Sequence, residues 1–144
     1  MTDLTYLCSL DLTTIGGAIR LARHVHTELD HGGLPHFDHV AAVAIGTAKL
    51  GGSTDQIIAA LLHDTIEDTW IGEVDLVILG ATDGVVETVV ALTRTKGQSD
   101  EDYMAQVLES EDAPLVKLAD VRHNLRPDRM LYLPPGRRER SLAR

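Results

Sequence analysis

The sequence contains little cysteine, few aromatic residues and no long apolar run. Cys8 is its single cysteine, so no intrachain disulfide can form, which fits a reducing compartment. Aromatic residues make up 3% of the chain, which leaves few rings on which nucleic-acid bases could stack. No stretch approaches the roughly 20 apolar residues that span a bilayer. The first residues, MTDLTYLCSLDLTT, also lack the basic and apolar segments of a secretory signal. We therefore expect a cytoplasmic protein without a membrane or nucleic-acid partner.

The net charge of −9 is unevenly distributed along the chain. Residues 122–144 contain seven arginines and two acidic residues, so the preceding part is strongly acidic. An acidic body binds nucleic acid poorly, because neutralising phosphates requires Lys and Arg. The hydrophobic share is 44% of 144 residues, which is enough for one domain with an aliphatic core. We predict a single domain over residues 1–144, with an Arg-rich tail from about residue 127.

Apolar residues recur at helical spacing along most of the chain. Two runs, 74–79 and 85–92, are rich in β-branched residues and would suit strands if taken alone. Neither alternates cleanly, and their neighbours are helical, so we interpret both as helices. The sequence therefore predicts an all-α protein, an orthogonal helical bundle, with helices over about 13–29, 37–50, 53–68, 74–79, 85–92, 99–108 and 114–125.

Ser53 and Gln56 form a capping box that opens an apolar helix. Four polar residues follow its apolar part: His63, Asp64, Glu67 and Asp68. At 3.6 residues per turn, His63 lies one turn before Glu67, and Asp64 lies one turn before Asp68. Two polar rows should therefore emerge from one buried helix. Carboxylates and an imidazole beside a core are costly unless a partner satisfies them. A divalent cation is such a partner, and the alternative is a buried, hydrogen-bonded His-Asp pair.

Two further candidate ligands lie in other apolar segments. Asp120 has apolar neighbours in the segment VKLADVRHN, and His39 is the first residue of the apolar segment HVAAVA. Imidazole together with carboxylate suits manganese, zinc, iron or cobalt better than calcium. We therefore predict one divalent cation with four ligands: His39, His63, Asp64 and Asp120.

Three segments, in this order, resemble the HD-domain metallophosphohydrolase superfamily, and more narrowly the hydrolase domain of RelA/SpoT-type alarmone enzymes and their small single-domain relatives. GLPHFDHVAAVA is similar to the family's Gly-x-Pro-Tyr-x-x-His-Pro-x-x-Val-Ala segment. LLHDTIEDT is similar to Leu-Leu-His-Asp-x-x-Glu-Asp-Thr, and VKLADVRHN to Lys-Leu-Ala-Asp-x-x-x-Asn. The resemblance covers roughly residues 15–127.

The resemblance implies manganese-dependent hydrolysis of ppGpp and pppGpp, with release of pyrophosphate from the 3′ side. It assigns the same four metal ligands and makes Asn124 a residue of the substrate pocket. A cation lowers the pKa of its bound water from about 16 toward 7. Glu67 and Asp68 mark the alarmone branch, and they follow the ligands by one turn. We therefore expect them to act catalytically, by orienting that water or accepting its proton.

Several residues are weaker candidates for contact with the substrate, with structural or surface roles as the alternative. His123, by contrast, is expected to point elsewhere on its helix and to be structural. The further substrate-binding candidates are His36, Arg23, Lys117 and Tyr103.

The chain departs from the family pattern near the nucleotide. The family's Pro-Tyr is Pro35-His36 here, and its usual Arg/Lys pair before the first ligand is missing, with only His31 in that neighbourhood. A substrate with four or five phosphates normally requires more positive charge. Two alternatives therefore stay open. One is an HD-type deoxynucleotide phosphohydrolase, a 5′-nucleotidase or a dNTP triphosphohydrolase. The other is a non-catalytic nucleotide-sensing module, which would not need Glu67 and Asp68.

Overall fold

The computed structural model describes residues 3–30 and 33–130, and the regular structure in these ranges is helical. One isolated antiparallel bridge joins Leu29 to Pro35. The all-α prediction is confirmed, and both β-branched runs are helical. The helices are α1 (Asp3–Cys8), α2 (Ile15–Val25), α3 (His36–Lys49), α4 (Thr54–Leu62), α5 (Thr65–Asp68), α6 (Glu73–Ile78), α7 (Asp83–Ala91), α8 (Asp100–Glu109), α9 (Ala113–Asn124) and α10 (Pro127–Met130).

Side-chain caps fix the first turns of α4 and α8. The Ser53 hydroxyl accepts from the Gln56 backbone N–H at 3.1 Å, and the Gln56 side-chain oxygen accepts from the Ser53 N–H at 2.9 Å. This is the predicted capping box, which satisfies two backbone donors at the start of α4. The Ser99 hydroxyl likewise accepts from the Asp102 N–H at 3.1 Å. Both helices begin where the sequence predicts.

Two predicted boundaries are wrong. The helix expected over 13–29 ends at Val25, because His26 leaves the helical conformation with φ −96° and ψ 68°. The helix expected to continue to Asp68 is interrupted after Leu62, and α5 begins only at Thr65. The Thr65 hydroxyl donates to the Leu62 carbonyl at 2.7 Å, a local side-chain bond that competes with the helical pattern. His63 and Asp64 therefore lie at a break between two helices, not on rows of one continuous helix.

Helix α4 is the centre of the core, and its residues 58–62 are all buried. Helices α2, α3, α7 and α9 pack around it. Helices α3 and α9 approach closely, since a Cβ added at Gly46 would lie 3.3 Å from the Cβ of Ala119. This packing brings His39 of α3 and Asp120 of α9 beside the C-terminal end of α4. Among the described helices, none is long and apolar enough to cross a membrane.

Candidate metal centre and active site

Three of the four predicted ligands form one buried cluster. His39 comes from α3, His63 follows α4, and Asp120 comes from α9. One potential ligand atom of each lies within 4.8 Å of the others. Asp120 Oδ1 lies 2.9 Å from His39 Nε2 and 3.7 Å from His63 Nε2. We refer to these three residues as the inner cluster.

The fourth predicted ligand, Asp64, borders the inner cluster with both carboxylate oxygens. Its Oδ1 lies 3.3 Å from His63 Nε2, and its Oδ2 lies 3.9 Å from His39 Nε2. The same Oδ2 is 2.9 Å from His36 Nε2. Asp64 also belongs to a second group, with His36 and Asp68, whose potential ligand atoms all lie within 4.8 Å of one another. We refer to this second group as the outer cluster.

The tautomer of His63 fits a metal ligand. Its Nδ1 lies 2.6 Å from the Ala60 carbonyl oxygen, which can only accept, so Nδ1 carries the proton. The buried Nε2 has no hydrogen-bond partner among the described residues. Metal-bound histidines commonly donate their other ring N–H to a carbonyl, which fixes the ring and aims the free nitrogen at the ion. The donor set of the inner cluster and Asp64 therefore fits a divalent transition-metal cation.

The electrostatics also favour a positive charge at this position. Burial by itself would lower the pKa of His63, but Asp64 and Asp120 raise it to about 9. Burial would raise the pKa of Asp120, yet Lys117 and the two histidines hold it well below its usual value. The carboxylates thus remain ionised and hold either a proton on His63 or a cation in its place.

A second histidine contacts His39 at Nδ1, the ring nitrogen that does not face Asp120. His123 Nδ1 lies 2.8 Å from His39 Nδ1. Burial, together with the charges of His39 and Arg129, lowers the pKa of His123 to about 4. The neutral His123 ring can therefore accept the His39 Nδ1–H and leave His39 Nε2 facing Asp120. The expectation that His123 points elsewhere is wrong. His123 follows Asp120 by three residues on α9, and this spacing could have indicated that it lies on the same side of the helix as Asp120.

Two predicted substrate-binding residues contact Asp120. The Lys117 amine donates to Asp120 Oδ2 at 2.9 Å, and Lys117 is buried. Asn124 Nδ2 donates to Asp120 Oδ1 at 3.3 Å, while its own oxygen accepts from Arg129 at 3.3 Å. Arg129 in turn pairs with Asp30 at 2.9 Å. In the structure these groups fix the Asp120 carboxylate.

Tyr103 and Arg23, also predicted to contact substrate, have other partners. The buried Tyr103 donates its hydroxyl to the Leu92 carbonyl at 2.8 Å, and the Lys117 amine lies 5.0 Å from its ring centre. Tyr103 therefore packs behind Lys117. The exposed Arg23 places its guanidinium 5.0 Å from the centre of the Phe37 ring.

The two predicted catalytic carboxylates differ in their surroundings. Asp68 Oδ2 lies 3.7 Å from His36 Nε2, in the outer cluster. Glu67 Oε1 accepts from the Arg94 backbone N–H at 2.7 Å. Burial raises the pKa of Glu67, and the negative charges of Asp64 and Asp68 raise it further. A carboxylate with a raised pKa is better suited to accept a proton near neutral pH.

A cleft of about 610 Å³ opens beside the outer cluster. Its walls include His36 and Asp68, as well as His26 and Trp70. The His26 ring stacks on His36 with 4.3 Å between centroids and 8° between planes. His26 is buried, and burial, followed by the charge of His36, lowers its pKa to about 4. None of the described residues that line the cleft is Lys or Arg.

The chain also matches a known protein family. The model of the HD-domain family matches residues 18–132, which is most of the chain. The chain therefore belongs to the HD-domain family. Several curated relatives have names that describe (p)ppGpp synthesis or hydrolysis.

Three curated relatives show how far this similarity extends. The Mycobacterium tuberculosis bifunctional (p)ppGpp synthase/hydrolase RelA is 31% identical over 142 residues, which cover 91% of this chain and 19% of that protein. The Escherichia coli bifunctional (p)ppGpp synthase/hydrolase SpoT is 30% identical, over 85% of this chain and 19% of its own length. The Borreliella burgdorferi guanosine-3′,5′-bis(diphosphate) 3′-pyrophosphohydrolase is 26% identical, over 94% of this chain and 22% of its own length. The chain thus spans about a fifth of the length of these relatives.

One solved structure has the same fold. It is described as a metazoan ortholog of SpoT that hydrolyses ppGpp and plays a role in starvation responses. The match has a TM-score of 0.73 and 24% sequence identity, and it covers 90% of this chain and 79% of the other. At this identity the likeness shows the fold.

Proposed function

We propose that this chain is a metal-dependent phosphohydrolase that removes pyrophosphate from the 3′ side of ppGpp or pppGpp. The observation that carries the proposal is the buried inner cluster, whose His63 Nε2 lies 3.7 Å from Asp120 Oδ1 and 3.3 Å from Oδ1 of the neighbouring Asp64. The relatives support the substrate, since their names describe (p)ppGpp hydrolysis or synthesis. Their similarity to this chain spans the segments that supply the cluster.

His39, His63, Asp64 and Asp120 are the proposed ligands of one divalent cation, with manganese as our first choice. Such a cation would supply a Lewis acid that activates water and a positive charge that offsets the charge of the phosphates. Lys117 and His123 keep Asp120 and His39 in position through their contacts at 2.9 and 2.8 Å.

Glu67 and Asp68 are the proposed proton-transfer residues. They lie on α5, directly after the break that holds His63 and Asp64. The raised pKa of Glu67 suits proton uptake from water. The cleft beside Asp68 is the proposed nucleotide site, and the indole of Trp70, 63% exposed at its wall, offers a face for stacking a base.

The test is turnover by the purified chain, with added Mn²⁺, of a panel containing ppGpp, dNTPs and dNMPs. We expect ppGpp to be hydrolysed fastest, with pyrophosphate as a product. His63→Ala should abolish turnover, whereas Asp83→Asn, an exposed change at the start of α7, should leave it unchanged. Absence of turnover on every substrate would favour a nucleotide-sensing module.

A deoxynucleotide substrate is the second candidate, and one observation favours it. The described lining of the cleft contains no Lys or Arg. It is therefore better suited to the negative charge of one to three phosphates than to that of four or five. Strong dNTP or dNMP cleavage without ppGpp turnover would assign the chain to this branch and leave the metal site unchanged.

We also propose that residues 1–144 form one domain. Most of the buried apolar residues, from Leu7 to Ala119, belong to a single core cluster, which supports this assignment. The Arg-rich tail predicted from about residue 127 begins with α10, and its residues 131–144 lie outside the described part of the chain, as does His31.

A further inference from the structure

A buried ion pair joins the short helix α10 to the segment that precedes α3. Arg129 places its Nη1 2.9 Å from Asp30 Oδ2, and the two side chains are only 8% and 6% exposed. Taking two charges out of water is costly, and an apolar pair of similar volume is often at least as stable. A gain in stability therefore explains this pair poorly, whereas its contacts indicate a role in positioning.

The guanidinium of Arg129 also fixes the side-chain amide of Asn124. Its Nη2 donates to Asn124 Oδ1 at 3.3 Å, and Asn124 Nδ2 donates to Asp120 Oδ1 at 3.3 Å. Arginine can only donate hydrogen bonds, so the oxygen end of the amide has to face Arg129. The NH2 end of the amide is therefore directed at Asp120.

The Asp120 oxygen that accepts from Asn124 is the one that borders the histidines. Oδ1 lies 2.9 Å from His39 Nε2 and 3.7 Å from His63 Nε2, while Oδ2 accepts from Lys117 at 2.9 Å. If the Asn124 amide were turned round, its oxygen would face Asp120 Oδ1, and two acceptors in contact repel each other. The orientation of Asn124 therefore affects the oxygen that is proposed to bind the cation.

The other end of the ion pair holds the segment that leads into α3. Asp30 Oδ1 accepts from the Leu34 backbone N–H at 3.0 Å. Helix α3 begins two residues after Leu34 and carries His39 in its first turn. Arg129 thus connects the start of the helix that provides His39 with the end of the helix that provides Asp120.

We propose that Arg129 is a positioning residue of the metal centre. Held by Asp30, it orients Asn124 so that the amide NH2 secures the Asp120 oxygen nearest the two histidines. Arginine suits both contacts, because Nη1 and Nη2 of a planar guanidinium reach two different acceptors in a fixed geometry, whereas a lysine amine is a single point charge. The inference rests on the metal site of the proposed function and does not depend on its substrate.

The experiment measures the Kd of Mn²⁺ for the full chain, by titration with detection of the free ion by electron paramagnetic resonance. Arg129→Met should weaken binding about 10-fold, the lower end of the range for groups that orient a metal ligand without touching the ion. Arg129→Lys should recover at most part of this loss. The matched control Arg126→Met removes an exposed arginine, which pairs with Asp128 at 3.3 Å, and should leave the Kd unchanged.

Two further variants separate positioning from folding. Asp30→Asn combined with Arg129→Met removes both buried charges, so that no unpaired charge remains inside the fold. This double variant should bind Mn²⁺ as weakly as Arg129→Met and keep the circular dichroism spectrum of the unchanged protein. In a chain that already carries Asn124→Ala, Arg129→Met should change the Kd by less than about 2-fold, because the effects of residues that act through one another do not add.

An unchanged Kd in the folded double variant would overturn the proposal. So would a full additional loss of affinity when Arg129→Met is added to Asn124→Ala, because Arg129 would then act by a separate route. Mn²⁺ binding that depends on Arg129, without ppGpp turnover, would refute the proposed substrate and leave this inference standing. Turnover of ppGpp with a Kd that does not depend on Arg129 would refute this inference alone.

Discussion

At the scale of single residues, the site is built from charged groups whose partners are all close. Asp120 is the clearest case, because its two oxygens contact Lys117 at 2.9 Å and His39 at 2.9 Å. A buried carboxylate is tolerated only when it is paired in this way. The apolar flanks of Asp120 make it a candidate ligand from the sequence alone. It could not reveal that Lys117 faces inward, because a lysine in a helix is usually exposed.

Glu67→Gln tests the proposed chemistry at this scale. Glutamine keeps an oxygen that can accept from the Arg94 N–H, the contact of 2.7 Å in the structure, but it loses the negative charge and the basicity. We expect turnover to fall about 100-fold, the range of lost general acid–base catalysis, with unchanged metal content. The measurement is kcat and bound metal on the same preparation, with Glu73→Gln, an exposed residue of α6, as the control. Near-normal turnover would make Glu67 a solvated surface carboxylate.

At the scale of helices, most of the fold follows from local sequence. The site, however, lies where one predicted helix is interrupted. The Ser53–Gln56 capping box correctly predicts where α4 begins, and the apolar run that follows correctly predicts that the helix is buried. The break after Leu62 was not predicted, because LLHDTIEDT has no glycine or proline and its spacing is compatible with one helix. The competing bond from the Thr65 hydroxyl to Leu62 depends on a rotamer that the sequence does not display.

Two adjacent glycines of α2 give a matched test of helix packing. A Cβ added at Gly17 would lie 1.9 Å from the Asp11 carbonyl oxygen, a backbone atom, whereas a Cβ at Gly16 would meet nothing within 4 Å. We expect Gly17→Ala to destabilise the protein by about 2 kcal/mol, the range of overpacked sites. Gly16→Ala should be neutral or stabilise it by up to about 1 kcal/mol, because alanine favours helix. Urea unfolding of the two variants measures the difference, and equal stabilities would contradict the packing of α2 on Asp11.

At the scale of the whole molecule, the site exists only when α3, α4 and α9 are assembled. The proposed ligands lie far apart in sequence, and the close approach of Gly46 to Ala119 brings two of the helices together. The order of motifs predicted which residues meet. The division of the polar residues into an inner and an outer cluster could not be predicted, because it depends on the directions of the two Asp64 oxygens.

Metal binding should therefore stabilise the whole fold. A ligand that binds only the folded state adds about 2.7 kcal/mol when its concentration is 100 times its Kd, and for a chain of this size that corresponds to a rise in Tm of about 5–10 °C. We expect this rise with Mn²⁺ in thermal unfolding, its reversal by a chelator, and a smaller effect of Ca²⁺, which prefers sites made of oxygen ligands alone. His63→Ala removes the imidazole nitrogen that lies 3.3 Å from Asp64 and 3.7 Å from Asp120, so most of the Mn²⁺ effect should disappear with it. An equal rise in Tm in the variant and the unchanged protein would show that the stabilising ion binds elsewhere.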